Sequence, residues 1–340
     1  MTAAPVLSII IVSWNVRDLV LACLDSIHAD SGRPPLEIIV VDNASEDGTA
    51  AAVVARYPAV RVLANMDNVG FPRANNQALR HARGRHVLFL NPDTEVGAGT
   101  LGACVRELDV NPDIGVVGCR LQSAEGSIQY EGARNLYRFR HLLYEMMYLH
   151  MLFPNNRVFG DHRIGAWDHL GERDVEAVSG AFMMVPRHVA EQVGGLPEDL
   201  FMYHEDLSFC LRIQRLGLRV RYLGGVHTVH HWAQSSRRST ARLGLLEVEC
   251  KHRFIAEADG RAWAAAARAL IGLRAVLRMA IGTVGILVPQ RWKAPYPRVF
   301  DIGLYWLQLK WSLRPASVAV HLPRASALAR EPQRMGAWSA

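Results

Sequence analysis

The chain has 340 residues, of which 50% are hydrophobic and 21% are charged, and its formal net charge is +6 at pH 7. These values are ordinary for a globular protein that touches a membrane. The charge comes almost entirely from arginine, and the sequence carries no aromatic-basic motif of a nucleic-acid-binding protein, so we expect no nucleic-acid partner. The five cysteines are odd in number and lack Cys-x-x-Cys spacing, which favours a reducing compartment.

The amino-terminal region has no positively charged leader before its first apolar run. No uncharged apolar run reaches the length of about 18 residues that a membrane span requires. We therefore expect a cytoplasmic protein that is peripheral on the cytoplasmic face of the membrane.

The first part of the chain alternates between predicted strands and helices. Leu7 to Val12 and Glu37 to Val41 are short apolar, β-branched runs, and Asp18 to His28 between them has helical periodicity. Strand, helix and strand in this order predict parallel pairing with a right-handed crossover. The next predicted elements are a strand from Val60 to Leu63, a helix from Pro72 to Arg83 and a strand from His86 to Leu90.

Polar residues follow the carboxyl ends of three of these strands. Ser13-Trp14-Asn15 follows the first strand, the run from Asp42 to Thr49 follows the second, and Asn91-Pro92-Asp93 follows the last. In an open α/β sheet, ligands bind at this edge. The sequence therefore predicts a ligand site there.

A further amphipathic helix is predicted between Glu205 and Gly217. Its apolar residues recur at the spacing of a buried stripe, and the glycine is placed to end the helix. Two adjacent acids, Glu205 and Asp206, lie at the mouth of this helix. Asp206 is suited to cap the helix or to act as a general base on a rigid element.

Five motifs follow one another along the chain: Ser13-Trp14-Asn15, the run from Val41 to Thr49 (Val-Asp-Asn-Ala-Ser-Glu-Asp-Gly-Thr), the run from Asn68 to Asn76 (Asn-Val-Gly-Phe-Pro-Arg-Ala-Asn-Asn), the run from Leu90 to Thr94 (Leu-Asn-Pro-Asp-Thr), and Glu205-Asp206. In this order they resemble the inverting family 2 glycosyltransferases. The resemblance is greatest to the rhamnosyltransferase-like branch that builds surface polysaccharides, and it covers roughly Pro5 to Ser236.

The resemblance implies an α/β fold, with a single nucleotide-sugar-binding, Rossmann-like domain of the GT-A type around a mostly parallel central sheet. We assign residues 1–257 to this catalytic domain and residues 258–340 to a C-terminal helical appendage. The implied activity moves a sugar, rhamnose in the branch it resembles, from a nucleoside diphosphate to a hydroxyl of a lipid-linked or polysaccharide acceptor. The alternatives are a nucleotidyltransferase or a non-catalytic nucleotide-sugar-binding scaffold.

Donor binding is the first role that the resemblance assigns. It places Ser13, Trp14, Asn15, Asp42, Asn68, Gly70, Arg73, Asn91 and Asp93 around the donor. Asp42 would accept a hydrogen bond from a pyrimidine imide, or would instead open an Asx turn. Arg73, at the start of a predicted helix, is suited to a diphosphate, or is a solvated surface residue.

A divalent cation, Mg²⁺ or Mn²⁺, is the implied cofactor. Asp93 at a strand end can hold such an ion while phosphate oxygens and waters complete its coordination. His230, in Val229-His230-His231-Trp232, is the second candidate ligand by the pattern of the branch, and the alternative is a structural histidine. Asn91 stands where family members often have another acid.

The resemblance assigns the general base to Asp206 and an auxiliary catalytic or acceptor-binding role to Glu205. An inverting transfer needs one base and no protein nucleophile. Gly180 and Ala181, in the predicted strand from Ser179 to Val185, and His231 are the further acceptor-binding candidates. Packing alone is the alternative explanation for the two small residues.

The carboxyl-terminal third has two apolar segments, Arg261 to Val288 and Val299 to Leu313. The first carries arginines beside an apolar stripe, and the second contains tyrosine and tryptophan, so residues 261–313 are suited to a membrane surface. Leu142 to Phe153 is predicted to be a further apolar helix that docks there. The alternative is that these helices pack on the catalytic domain or on a second subunit, as in a homodimer.

Overall fold

The computed structural model describes residues 4–231, 241–285 and 301–313. A central sheet dominates this part of the chain, and its strands run in the order β3-β2-β1-β4-β10-β6-β11-β5, with β8 added beside β11. The short strands β7 and β9 form a separate pair. The strand bounds are β1 Leu7–Ser13, β2 Leu36–Asp42, β3 Arg61–Ala64, β4 His86–Leu90, β5 Thr94–Val96, β6 Ile114–Gln122, β7 Ala133–Arg134, β8 Arg173–Val175, β9 Ala177–Val178, β10 Phe182–Pro186 and β11 Arg219–His230.

The first half of the sheet is parallel. β1 lies between β2 and β4 and is parallel to both, and β3 extends the sheet on the far side of β2. Every residue of β1 is buried, because helices cover both faces of the sheet. This burial explains why the strand reads as a continuous apolar run.

The second half of the sheet is mixed. β10 is antiparallel to both β4 and β6, while β6 and β11 are parallel to each other. β11 runs on to His230 and pairs at its end with the short antiparallel strand β5. It is therefore longer than the expected strand from Arg219 to Leu223, and its extra residues carry His230 to the ligand edge of the sheet.

The described helices pack on the sheet or on one another. Their bounds are α1 Arg17–Ala29, α2 Thr49–Arg56, α3 Phe71–Leu79, α4 Thr100–Val110, α5 Phe139–Met146, α6 Leu149–Leu152, α7 Arg187–Gln192, α8 Glu205–Gln214, α9 Ala241–Ala258, α10 Arg261–Gly285 and α11 Ile302–Ser312. Two buried apolar clusters result, one including Ile9 and Ile11 of β1 and the other including Ile10 and Val12. This alternation follows from the two-residue period of a strand.

The predicted helix from Leu142 to Phe153 is wrong as one continuous element. The chain forms α5 and α6 instead, and Tyr148 between them has a φ of 57°, in the left-handed region. A residue in this conformation interrupts the right-handed helix. The apolar periodicity of the segment is compatible with either arrangement, so it did not reveal the break.

The helices after residue 257 contribute to the main core. Ala267 and Ile271 of α10 and Trp311 of α11 belong to the same buried cluster as Phe209 of α8 and Phe254 of α9. The domain boundary after residue 257 stays a prediction. In the described ranges, no helix is both long enough and apolar enough to cross a bilayer.

Candidate active site

The carboxyl ends of β2, β1 and β4 lie side by side and carry the predicted polar residues. Ser13 pairs with Asp42 in the register of β1 and β2, and both side chains are buried. The site continues past β4, because the Asn91 N–H donates to Ala181 O at 3.0 Å. The neighbouring Gly180 N–H donates to Asp206 Oδ2 at 3.1 Å. The strand-end residues and the acid pair are thus brought to one edge of the sheet.

Asp42 is held by hydroxyl groups at its end of the site. Its Oδ1 accepts from Ser13 Oγ at 3.2 Å and from Ser45 Oγ at 2.5 Å, and its Oδ2 accepts from the Ser45 N–H at 3.2 Å. Asn15, with a φ of 54°, accepts the Glu46 N–H on its side chain at 2.7 Å. The two loops are therefore locked together, with the half-buried Trp14 between Ser13 and Asn15.

The Asn68 to Asn76 motif packs tightly against the loop that precedes α8. A Cβ on Gly70 would lie 2.8 Å from Phe201 O, so the close approach requires glycine, whose φ is 89°. Asn68 Oδ1 accepts from the Gly70 N–H at 3.0 Å and from Asn43 Nδ2 at 3.2 Å. Arg73 is exposed, and its Nε donates to Glu198 O at 3.2 Å. Their donor-binding roles stay predictions.

Asp93 and His230 meet at the end of β11. Both are buried, and His230 Nε2 lies 3.4 Å from Asp93 Oδ1. Gln129 fixes the imidazole, since its Oε1 is 2.8 Å from His230 Nδ1 and its Nε2 donates to His230 O at 2.7 Å. Nε2 is therefore the ring nitrogen left to face the carboxylate.

This pair fits a divalent cation that completes its coordination with ligand oxygens. One carboxylate and one imidazole are suitable donors for Mn²⁺ or Mg²⁺. Across residues 4–231, 241–285 and 301–313, no three His, Cys, Asp or Glu side chains gather into a metal site. An ion bound by Asp93 and His230 would therefore depend on phosphate oxygens and waters.

His231 contacts a different acid. Its Nε2 lies 2.6 Å from Glu95 Oε1, while its backbone N–H donates to Asp93 O at 2.9 Å. The Glu95 side chain is about half exposed, so the pair lies at the surface of the site. The acceptor-binding role of His231 stays a prediction.

The helix with the acid pair begins at Glu205, and its N-cap residue is His204. Asp206 is therefore the second helical residue, and its expected alternative role as an N-cap is wrong. Tyr203 and His204 both have positive φ, at 73° and 63°, and this unusual backbone turns the acids toward the sheet edge. Asp206 Oδ1 accepts a hydrogen bond from the N–H of the next residue, Leu207, at 2.8 Å.

The second oxygen of Asp206 pairs with an arginine that the sequence had not indicated. Arg134 Nη2 lies 2.5 Å from Oδ2, and both side chains are largely buried. Arg134 lies on β7 within Glu-Gly-Ala-Arg-Asn, where no motif marks it. The sequence also did not indicate the roles of Gln129 and Asn43, although Asn43 lies inside the motif from Val41 to Thr49.

Burial sets the protonation of the residues at the start of α8. Burial and, next, the charge of Asp206 raise the pKa of Glu205 to about 8, and Glu205 Oε2 is enclosed without a hydrogen-bond partner among the described residues. Burial lowers the pKa of His204 to about 3. At neutral pH, Glu205 therefore holds its proton and His204 is uncharged.

Comparison with known proteins gives the class of the enzyme. Residues 8–166 match the model of the family described as "Glycosyl transferase family 2". An N-acetylglucosaminyl-diphospho-decaprenol L-rhamnosyltransferase of Mycobacterium tuberculosis is 29% identical over 247 residues, covering 69% of this chain and 79% of that protein. The rhamnosyltransferase WbbL of Escherichia coli is 23% identical and covers 73% of this chain and 92% of its own.

A solved structure agrees on the fold. The mannosyltransferase PcManGT of Pyrobaculum calidifontis, solved in complex with GDP-Man and Mn²⁺, aligns with a TM-score of 0.52. It is 20% identical in sequence, and the alignment covers 92% of this chain and 89% of that one. The fold is thus of the expected GT-A type, and the protein is a glycosyltransferase. Its residues 8–166 are similar to glycosyltransferase family 2, and the chain is similar to rhamnosyltransferases of M. tuberculosis and E. coli.

Proposed function

We propose that the enzyme is an inverting glycosyltransferase of cell-surface glycan synthesis, which moves a sugar from a nucleoside diphosphate to an acceptor hydroxyl. The observation that carries this proposal is the placement of three carboxylates along one sheet edge. Asp42 ends β2, Asp93 follows β4 and contacts His230 at the end of β11, and Asp206 is joined to Asn91 through Gly180 and Ala181. We relate these three carboxylates to the nucleoside, diphosphate and acceptor parts of the reaction.

The chemistry assigns one role to each carboxylate. Asp42 would receive the base of the nucleotide, while Asp206 would take the proton of the acceptor hydroxyl as its oxygen attacks C1 of the sugar. The new bond joins the acceptor oxygen to C1 from the face opposite the diphosphate. The C1–O bond to phosphate breaks, and the nucleoside diphosphate leaves with the electron pair.

Asp93 and His230 are the proposed ligands of Mn²⁺ or Mg²⁺. When bound, such an ion would neutralise the diphosphate as it leaves. The donor set supports this proposal, since the carboxylate supplies charge and the imidazole is fixed by Gln129. Asn91 is neutral, so Asp93 is the charged ligand.

The acceptor is proposed to be lipid-linked, as the name of the M. tuberculosis relative indicates for that protein, and the donor sugar to be rhamnose. Glu205, Gly180, Ala181 and His231 are the proposed acceptor contacts. A lipid-linked acceptor requires the enzyme to reach a membrane surface, which leads to the carboxyl-terminal helices.

The outward face of α10 is apolar and is the proposed membrane contact. Leu273 and Leu277 are each more than half exposed, and Trp306 on the neighbouring α11 is 49% exposed. Lys310 Nζ lies 5.0 Å from the centre of the Trp306 ring, a tryptophan and cation combination typical of a bilayer boundary. Peripheral association with an anionic membrane accounts for an apolar face with basic neighbours.

Ligand-induced stabilisation and product analysis test the proposed activity. The thermal midpoint is measured with dTDP, UDP and GDP sugars, with and without Mn²⁺, and one donor is expected to stabilise the protein by about 2.7 kcal/mol at a hundredfold excess over its Kd. That donor and an acceptor should then yield a glycoside of inverted anomeric configuration. Release of pyrophosphate from a nucleoside triphosphate and a sugar phosphate would instead identify a nucleotidyltransferase.

A further inference from the structure

The Arg134–Asp206 ion pair is the starting point of this inference. The side chains of Arg134 and Asp206 are 15% and 12% exposed, so solvent screens the pair weakly. Asp206 Oδ2 accepts hydrogen bonds from Arg134 Nη2 and from the Gly180 N–H. An ionised carboxylate accepts such bonds more strongly than a protonated carboxyl group does. Within the described ranges, Oδ1 accepts from the Leu207 N–H alone and keeps capacity for a ligand hydroxyl.

Glu205 lies beside this ion pair but, unlike Asp206, has an oxygen without a hydrogen-bond donor among the described residues. This oxygen is Oε2, and it is enclosed. A Cβ placed on Gly180 would lie 3.9 Å from both Asp206 Oδ2 and Glu205 Oε1, so the two acids face the same small residue. Two carboxylates in one enclosed site repel each other, and one of them keeps a proton.

Other charged and titratable groups surround the two acids. From α5, α9, α8 and the adjoining loops these are Glu145, Lys251, Cys250, Cys210, His162 and His204. Lys251 Nζ is paired with Glu145 at 2.9 Å, and burial lowers the pKa values of both histidines, which leaves them neutral. Among the described residues, Arg134 is therefore the cation that acts directly on Asp206.

We propose that Arg134 is a positioning residue, which keeps Asp206 as the carboxylate and so confines the single proton of the acid pair to Glu205. This inference rests on the proposed function, because it prepares Asp206 to accept the acceptor's proton. Glu205 in its protonated form is a hydrogen-bond donor, suited to an oxygen of the acceptor sugar. Burial of Glu205 beside a carboxylate raises its pKa to about 8, in agreement with this assignment.

The pH dependence of kcat/KM tests the role of Arg134. In Arg134→Gln the Asp206 carboxylate loses its cation. The acid limb of the pH profile, where kcat/KM falls at low pH, is therefore expected to move to higher pH by about one pH unit or more. Arg134→Lys keeps the charge and should restore most of that shift. Arg138→Gln is the matched control, because Arg138 lies four residues away and pairs with Asp259 and Ala258 O. It is expected to lower stability without moving the acid limb.

Infrared spectroscopy reads the proton without any substrate. The wild type at neutral pH should show the carbonyl stretch of a protonated, enclosed carboxyl group, and Glu205→Gln should lack it. Absence of this band in the wild type, or its persistence in Glu205→Gln, would overturn the assignment. Transfer activity with an unmoved acid limb in Arg134→Gln would refute the role of Arg134 and leave the proposed function intact. Failure of the wild type to use any nucleotide sugar would refute the function, and the infrared band would still decide the protonation.

Discussion

Asp206 is the residue on which the proposed reaction depends. It lies in the first turn of α8, where Arg134, the Gly180 N–H and the Leu207 N–H hold its two oxygens. A base held in this way loses little entropy when the acceptor binds. The sequence identified the residue, but only the structure identified its partners.

Asp206→Asn should abolish transfer while leaving donor binding within a few-fold of wild type. The amide keeps the shape of the side chain but cannot take a proton, and loss of a general base typically costs about 10² to 10⁴ in rate. Measurement of kcat together with donor binding by calorimetry checks this expectation. Near wild-type turnover would show that another group is the base.

Asp93→Ala should weaken Mn²⁺ binding in the presence of nucleoside diphosphate far more than His230→Ala. The carboxylate supplies charge, whereas the neutral imidazole supplies one nitrogen. Titration of Mn²⁺ by electron paramagnetic resonance measures free ion without requiring turnover. Equal losses in the two variants would contradict this ranking, and full wild-type activity in EDTA would show that no metal is needed.

At the scale of elements, α8 is fixed by α9. Glu257 accepts from Ser208 Oγ at 2.5 Å and Arg212 Nε at 2.9 Å, and its backbone oxygen accepts from Arg215 Nη2 at 2.6 Å. The Ser208 hydroxyl thus binds an acid from another helix. The helix that carries the acid pair is therefore positioned from outside the residues that match the family model.

Glu257→Ala should lower the free energy of unfolding by about 1–3 kcal/mol, because buried Ser208 and half-buried Arg212 lose their acceptor. Thermal or urea unfolding measures this change. Glu191→Ala is the control, since its pair with Arg187 is exposed and should contribute less than about 1 kcal/mol. Equal losses in the two variants would contradict a specific role for the contact between α8 and α9.

At the scale of the whole molecule, the carboxyl-terminal helices have two different faces. Their inward residues join the main core, and Arg268, expected in a basic stripe, turns inward to donate to Trp311 O at 3.2 Å. Their outward residues remain apolar and exposed. Point substitutions on the outward face are therefore a better test of membrane binding than truncation.

The double substitution Leu273→Glu and Leu277→Glu should weaken binding to anionic vesicles roughly tenfold or more, because it places acids in the apolar contact. Flotation with phosphatidylglycerol and phosphatidylcholine vesicles at low and high salt measures this. Val54→Glu is the matched control, since Val54 on α2 is equally exposed at 53%. A wild type that ignores anionic vesicles and forms a dimer disrupted by the double substitution would assign the face to a second copy.

The stability of the whole chain should fall as the pH drops below about 6.5. Burial lowers the pKa values of His86, His141, His162 and His204, so the unfolded chain binds protons that the folded chain excludes. Each such histidine contributes a slope of up to about 1.4 kcal/mol per pH unit below its unfolded pKa. Glu205 acts in the opposite direction, since its raised pKa costs stability as the pH rises toward 8.

Urea unfolding of the wild type and His204→Asn between pH 5 and 7.5 tests this dependence. Asparagine tolerates the left-handed backbone at this position, and its variant should show a flatter slope. His188→Asn, which removes an exposed histidine, should change the slope less than His204→Asn does. An identical slope in the wild type and His204→Asn would contradict the prediction.

The sequence by itself determined the resemblance to family 2 glycosyltransferases, the strand ends that form the ligand edge, and the acid pair at the start of α8. These features are local, because an apolar β-branched run or a short ordered motif is specified by neighbouring residues. The same locality explains the wrong single helix from Leu142 to Phe153, since apolar periodicity does not report one left-handed residue at Tyr148.

Only the tertiary structure decided which distant side chains complete the site. Arg134 is 72 residues from Asp206, and Gln129 is 101 residues from His230. Such contacts depend on how β7, β11 and the loop before β7 are placed around the sheet, and no sequence period relates their side chains. For the same reason, the sequence left open whether the carboxyl-terminal helices pack on the catalytic domain. The burial of Ala267, Ile271 and Trp311 in the main core decided that their inward faces do.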